Sequence, residues 1–140
     1  MKLISMRWSL LAMAFALLSC ATPVDPLEAK ASDGDPVSAC LLVARSLHSC
    51  ALAKQKWEGG QIASRPACID EGIGKRQQGY LDKANAGLHD HQIGQVLFQA
   101  NRVLLSATAA LLQIGRADEV IESTDKLKDT CADLADLPKT

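Results

Sequence analysis

The chain has 140 residues, with fifteen basic and sixteen acidic side chains and a net charge of −1. That length suits one domain with a sizeable core, and the charge balance excludes a general electrostatic attraction to nucleic acid or to anionic lipid. Two Trp, two Phe and one Tyr are the only aromatic residues, so the core is expected to be small and aliphatic.

At the N-terminus, Lys2 and Arg7 precede an apolar run from Trp8 to Leu18 that only Ser9 interrupts. A charged segment followed by an apolar one of this length is the pattern of a secretory signal peptide. Eleven helical residues span only about 16 Å at 1.5 Å per residue, too short for a hydrocarbon core of about 30 Å. Residues 1–19 are therefore read as a removable signal peptide and not as a transmembrane anchor.

The run ends in Leu17-Leu18-Ser19-Cys20: an aliphatic residue, a tolerant position, a small residue and a cysteine. This resembles the lipobox of bacterial lipoproteins, and the resemblance covers this segment alone. It implies that the Cys20 thiol receives a diacylglycerol, that the chain is cut before Cys20 and that the new amino group is acylated, with palmitate-type chains holding the protein to membrane lipid. Each buried CH₂ contributes about 0.8 kcal/mol, so several chains make attachment essentially permanent. Ala21 follows the cysteine, where aspartate would resemble an inner-membrane retention signal, so the resemblance implies the outer membrane, on its periplasmic side. Ordinary cleavage after Ala21 is the alternative; it would remove Cys20 and leave a soluble periplasmic or secreted protein.

Without Lys2 and Arg7 the mature chain keeps thirteen basic and sixteen acidic side chains. Residues 20–35, rich in Ala, Asp and Pro without apolar periodicity, read as a lipidated flexible tether. Residues 36–137 read as the folded domain. Asp35-Pro36 supplies an N-cap and a first-turn proline, opening a first helix from Pro36 to Trp57 that ends at Gly59-Gly60. Val37, Cys40, Leu41, Ala44, Leu47, His48 and Ala51 recur on it at three- and four-residue steps. A second helix is expected from near Pro66, with Cys68, Ile69, Ile73, Tyr80 and Ala84 on its apolar side. Gly72, Gly74, Gly79 and Gly87 weaken it unless a neighbouring backbone packs closely against them.

A third helix carries the longest apolar series, Ile93, Val96, Leu97, Ala100, Val103, Leu104, Ala107, Ala110, Leu111 and Ile114, and stops at Gly115. Phe98, Leu105 and Leu112 form a second line at seven-residue steps beside it. Together the two lines cover more than half the circumference at 100° per residue. This helix is expected either to stand at the centre of the core or to press on a second protein. A fourth helix, from Ala117 to Ala135, points Val120, Ile121, Thr124, Leu127, Cys131 and Leu134 inward. Four helices with short connections predict an all-α, up-down-up-down four-helix bundle.

Besides Cys20 there are four cysteines, and an even number in an exported chain argues for two disulfides that staple the bundle. Their spacings, nine, seventeen and sixty-two intervening residues, match no zinc or haem pattern. Cys40 lies near the start of the first helix and Cys131 near the end of the fourth, which an up-down-up-down bundle places at one level. Cys68, opening the second helix, then falls to Cys50. A Cys40–Cys50 bridge along one helix would have to cover about 15 Å, against a Cα limit of roughly 7 Å. The expected pairs are Cys40–Cys131 and Cys50–Cys68.

On the fourth helix Asp118, Glu122, Asp125, Asp129, Asp133 and Asp136 step by three or four residues and line one stripe opposite its apolar face. The stripe reads as a solvated helix face or as a docking ridge for a basic partner. His89-Asp90-His91 reads as a helix-junction turn, His48 as a buried, hydrogen-bonded side chain, and Asp70-Glu71 as first-turn acids. With no nucleophile motif, phosphate loop or metal signature, no catalytic residue, metal ligand or cofactor is assigned. The expectation is a non-enzymatic envelope lipoprotein that binds a protein partner, an accessory subunit facing the periplasm. Its contact surface would be the acidic stripe or the line Phe98, Leu105, Leu112. A periplasmic immunity protein or inhibitor of a toxin or lytic enzyme, and a metal- or small-ligand-binding lipoprotein, are the alternatives. No nucleic-acid partner is expected.

Overall fold

The computed structural model describes residues 25–69 and 72–136. The signal segment, Cys20 and the Asp70-Glu71 pair lie outside the described residues. Within them the chain forms five α-helices and one 3₁₀ turn, with no strand.

The first helix, α1 (Pro26–Ser32), falls in the stretch that the sequence reads as a flexible tether. Asp25 caps it, accepting from the Leu27 N–H at 3.0 Å, with Pro26 in the first turn. This is the same Asp-Pro device that opens the next helix. Ala31 is fully buried, Leu27 packs against the core, and Arg45 of the following helix donates to the Asp25 carboxylate. That guanidinium holds the Asp25 carboxyl below its ordinary range. Residues 25–35 therefore belong to the folded domain, and the expected boundary at residue 36 is corrected to about residue 25. Seven residues show only one apolar i,i+4 pair, Leu27 and Ala31, which is too little for periodicity to register.

Gly34, at φ +90°, reverses the chain, and Asp35 caps α2 (Pro36–Glu58) by accepting from the Ser38 N–H at 3.0 Å. This helix, and not the one after residue 90, is the centre of the molecule. Ala39, Cys40, Leu42, Val43, Ala44, Leu47, Cys50 and Ala51 are all buried, because α2 packs against every other helix. Its length and composition would let it span a membrane, yet it carries a buried lysine, Lys54. It ends at Gly59, with Gly60 at φ +77°.

Where the sequence predicts a helix from Pro66, the structure has a 3₁₀ turn, Ala67–Ile69, and α3 (Gly72–Ala86) begins later. The intervening chain brings Cys68 alongside Cys50, with Cα atoms 5.8 Å apart and the disulfide formed. Ile73, Leu81 and Ala84 enter the core. In α3, Gly74 faces Thr108 Cγ2, 3.4 Å from where a Cβ would stand, while Gly79 faces open space.

Asp90 caps α4 (His91–Leu111), accepting from Gln92 N–H at 2.8 Å and Ile93 N–H at 3.1 Å. Leu97, Ala100, Leu104, Ala107, Ala110 and Leu111 are its buried face. It stops at Leu111 rather than near Gly115, so Ile114, expected inside, stands 91% exposed in the turn. The last helix, α5 (Ala117–Leu134), buries Val120, Thr124, Leu127, Cys131 and Leu134 and packs most extensively on α2. The Cys40–Cys131 disulfide joins the two, Cα to Cα 5.6 Å. The fold is thus an all-helical bundle with two disulfides, both anchored on α2.

Candidate functional site

The seven-residue line of α4 faces outward. Phe98, Leu105 and Leu112 are 59%, 60% and 67% exposed, and Ile114 prolongs the line. Burial of the neighbouring face of α4 explains the geometry: with Leu97, Leu104 and Leu111 turned to the core, residues one position on in sequence lie about 100° round the helix. Arg102 is the only Lys, Arg, Asp or Glu between His91 and Leu111; it is exposed and lies on this same face, four residues after Phe98 and three before Leu105. Two hollows flank it. One, beside Phe98, is lined by Leu88, His89, His91, Gly94 and Val96. The other, beside Leu105, is lined by Gly74, Gly79, Asp82 and Thr108. A Cβ at Gly79 or Gly94 would touch nothing within 4 Å. These glycines therefore leave grooves where ordinary helix residues would fill them. Successive members of the line stand about 10.5 Å apart along the helix, with Asn101 and the exposed Arg102 between Phe98 and Leu105 and Thr108 and Ala109 between Leu105 and Leu112.

The acidic stripe of α5 is exposed but divided. Asp118 accepts from Gln55 Nε2 of α2, Glu122 pairs with Lys126 at 3.3 Å, and Asp125 Oδ1 lies 3.5 Å from His48 Nδ1. Half the stripe thus engages the protein's own side chains. Asp129, Asp133 and Asp136 form no ion pair among the described residues, and no basic residue occupies the last turn of α5, where the helix dipole favours cations. Asp136 itself lies beyond the helix, in the turn after Ala135. Near the N-terminus Arg116 and Glu119 pair at 2.6 Å, and this partner holds the Glu119 carboxyl below its ordinary value.

His48 is half-buried between α2 and α5, its Nδ1 3.1 Å from Thr124 Oγ1. The Thr124 hydroxyl also contacts the carbonyls of Val120 and Ile121 in its own helix. The His48–Thr124 contact is a structural hydrogen bond between helices. His89 is exposed, Asp90 is the α4 cap, and His91 meets Gln95 Nε2 at 3.2 Å. Among the described residues no three His, Cys, Asp or Glu side chains stand close enough to hold a metal ion.

One cluster is not anticipated by the sequence reading. Lys54 is 3% exposed, and its Nζ lies 2.6 Å from Glu58 Oε1 and donates to the Gln113 carbonyl. Glu58 Oε2 accepts from the Gly115 N–H at 3.1 Å. A buried ammonium and its carboxylate thus fasten the α4–α5 turn, residues 112–116, to the end of α2, and Lys54 holds the Glu58 carboxyl below its ordinary value. The signal available in the sequence is the i,i+4 spacing of Lys54 and Glu58, with Lys54 in register with the buried Leu47, Cys50 and Ala51. The latch also fixes the position of Leu112 and Ile114. Comparison with protein-family models, with curated proteins and with solved structures yields no match for this chain.

Proposed function

We propose that this is a non-enzymatic envelope lipoprotein, anchored by acylated Cys20 on the periplasmic side of the outer membrane, that docks a protein partner along α4. The single observation that carries the reading is the exposed apolar line Phe98, Leu105, Leu112 with its glycine-lined grooves. The occupant that fits is an amphipathic helix of another envelope protein. Its apolar residues, spaced by three and four, would lie along the line and its flanking side chains would enter the grooves. The four long helices, α2 to α5, are taken as an up-down-up-down bundle with α1 as a clasp across α2. The short α3–α4 and α4–α5 connections and the level pairing of Cys40 with Cys131 support that arrangement. The Lys54–Glu58 latch keeps the C-terminal end of the docking line rigid, which lowers the ordering cost of association.

The test is site-specific photo-crosslinking in the native envelope. A benzoylphenylalanine at position 105 should give one protein adduct of defined mass, absent from a probe at Lys126, and Leu105→Asp should abolish co-purification of that protein without lowering Tm. Adducts to lipid alone, or equal adducts from both positions, would overturn the docking reading. Metabolic labelling with a palmitate analogue tests the anchor separately: label retained in Cys20→Ala removes it.

A further inference from the structure

The two disulfides differ in what surrounds them. Cys40 and Cys131, which join α2 to α5, are both fully buried. Cys50 is 2% exposed on α2, but its partner Cys68 is only partly buried, and both cysteines line a cleft of about 350 Å³ between α2 and α3. In thiol–disulfide exchange a thiolate attacks one of the two sulfurs, so the rate depends on which sulfur can be reached. A reagent can approach the Cys50–Cys68 bridge from the Cys68 side. The other bridge is closed at both ends.

The chain around Cys68 depends on that bridge. Gly59 to Arg65 are exposed without a break. From Ile62 to Cys68 no group hydrogen-bonds to another element among the described residues, and the Ile69 N–H donates only to the nearby Pro66 carbonyl. Among the described residues, two attachments therefore hold the α2–α3 link against the bundle: the Cys50–Cys68 bridge and the buried side chain of Ile69. We infer that Cys50–Cys68 is a reducible clip, attacked at Cys68 by a dithiol while Cys40–Cys131 keeps the bundle closed. In the first step the attacking thiolate bonds to Cys68 Sγ and the Cys50–Cys68 bond breaks. Its electron pair leaves on Cys50, which takes up a proton. The second thiol of the reductant then displaces Cys68, so the dithiol is oxidised to a disulfide and both cysteines are reduced, a two-electron exchange. Residues 59–68 are left with Ile69 as their hold on the bundle, and the cleft loses its closure at that end. This clip is separate from the docking line on α4 and stands or falls independently of it.

The experiment treats the purified, oxidised protein with millimolar dithiothreitol, quenches with iodoacetamide at intervals and locates the alkylated cysteines by peptide mass spectrometry. Cys50 and Cys68 should be alkylated at least about tenfold sooner than Cys40 and Cys131, because access sets the rate, and helical circular dichroism should be retained. Urea below the unfolding transition should leave the Cys50–Cys68 rate unchanged and accelerate that of Cys40–Cys131, whose sulfurs are reached only when the fold opens. Hydrogen exchange at Ala67–Ile69 should rise on reduction. The double variant Cys50→Ser, Cys68→Ser should show the same rise without reductant; if it does not fold, the reduced wild type read at the same amides decides. A ratio of rates below about tenfold, a Cys50–Cys68 rate that climbs with urea, or unchanged exchange at Ala67–Ile69 overturns the proposal.

Discussion

Replacing Glu58 by glutamine tests whether the buried ammonium at Lys54 is held by its neighbour or merely tolerated. The side chains are 3% and 20% exposed and separated by 2.6 Å. At an effective dielectric of 20 their gross attraction is about 6 kcal/mol, which the cost of desolvating both ions largely offsets. Removing the carboxylate alone leaves the desolvation cost of Lys54 in place. Breaking a buried pair costs roughly 3 to 5 kcal/mol, and the lower figure applies because the exposed edge of Glu58 lets water approach. A loss of about 3 kcal/mol in a domain near 110 residues lowers Tm by roughly 13 °C. Urea unfolding and calorimetry of Glu58→Gln, Lys54→Met and the double variant close the cycle. The double variant should recover much of the loss, because no unpaired charge remains. If Glu58→Gln costs less than about 1 kcal/mol, or the double variant falls by the sum of the single changes, the latch contributes no coupling and the argument fails.

Acid sensitivity follows from the same group. Glu58, Asp25 and Glu119 have carboxyls held below their ordinary values. The unfolded chain therefore binds protons first, and the stability they contribute is present above those ordinary values and lost as pH falls through the depressed ones. Chemical unfolding should show stability falling from about pH 5 downward, less steeply for Glu58→Gln than for the wild type. Gly79→Ala should stabilise the fold by about 0.8 kcal/mol, since Gly79 sits inside α3 with nothing near its missing Cβ. Thermal melts check this, and the same change should impair docking by narrowing the groove beside Leu105. Asp90→Ala, which removes two capping bonds from the start of α4, should cost about 1 kcal/mol by urea titration. Replacing Cys40 and Cys131 by alanine should cost about 4 to 5 kcal/mol and replacing Cys50 and Cys68 about 3, since the bridges close sequence separations of 91 and 18. Equal losses would contradict the chain-entropy argument.

The helical class and the existence of a second apolar line on α4 are legible in the sequence because both depend on local periodicity, whereas its outward orientation comes from the structure. Phe98, Leu105 and Leu112 lie at steps of seven beside a stronger apolar series, and a helix cannot bury both unless it is enclosed. Which helix is enclosed is not a local property: α2 carries fewer large apolar residues than α4, yet its Ala and Cys positions let neighbours approach from all sides. The start of the domain is missed for a different reason. Asp25-Pro26 carries the same capping signal as Asp35-Pro36, but seven residues are too few for the pattern to outweigh a Pro- and Asp-rich composition. The placement of Cys68 in a 3₁₀ turn depends on how a loop of irregular conformation returns along α2, which no periodicity encodes.

The folding of α1 onto α2 sets how far the protein can reach. With Cys20 acylated as proposed, only the five residue steps from Cys20 to Asp25 separate the lipid from a folded element, at most about 17 Å of chain. A leash running unfolded to residue 36 would extend about 55 Å. Shortening the radius threefold shrinks the volume swept above the bilayer by roughly thirtyfold and raises the effective concentration of the docking line for a membrane-bound neighbour in proportion. The same short leash keeps the line away from anything more than a few nanometres above the surface. With such an anchor, α1 would favour, by distance alone, partners that are themselves held at the membrane.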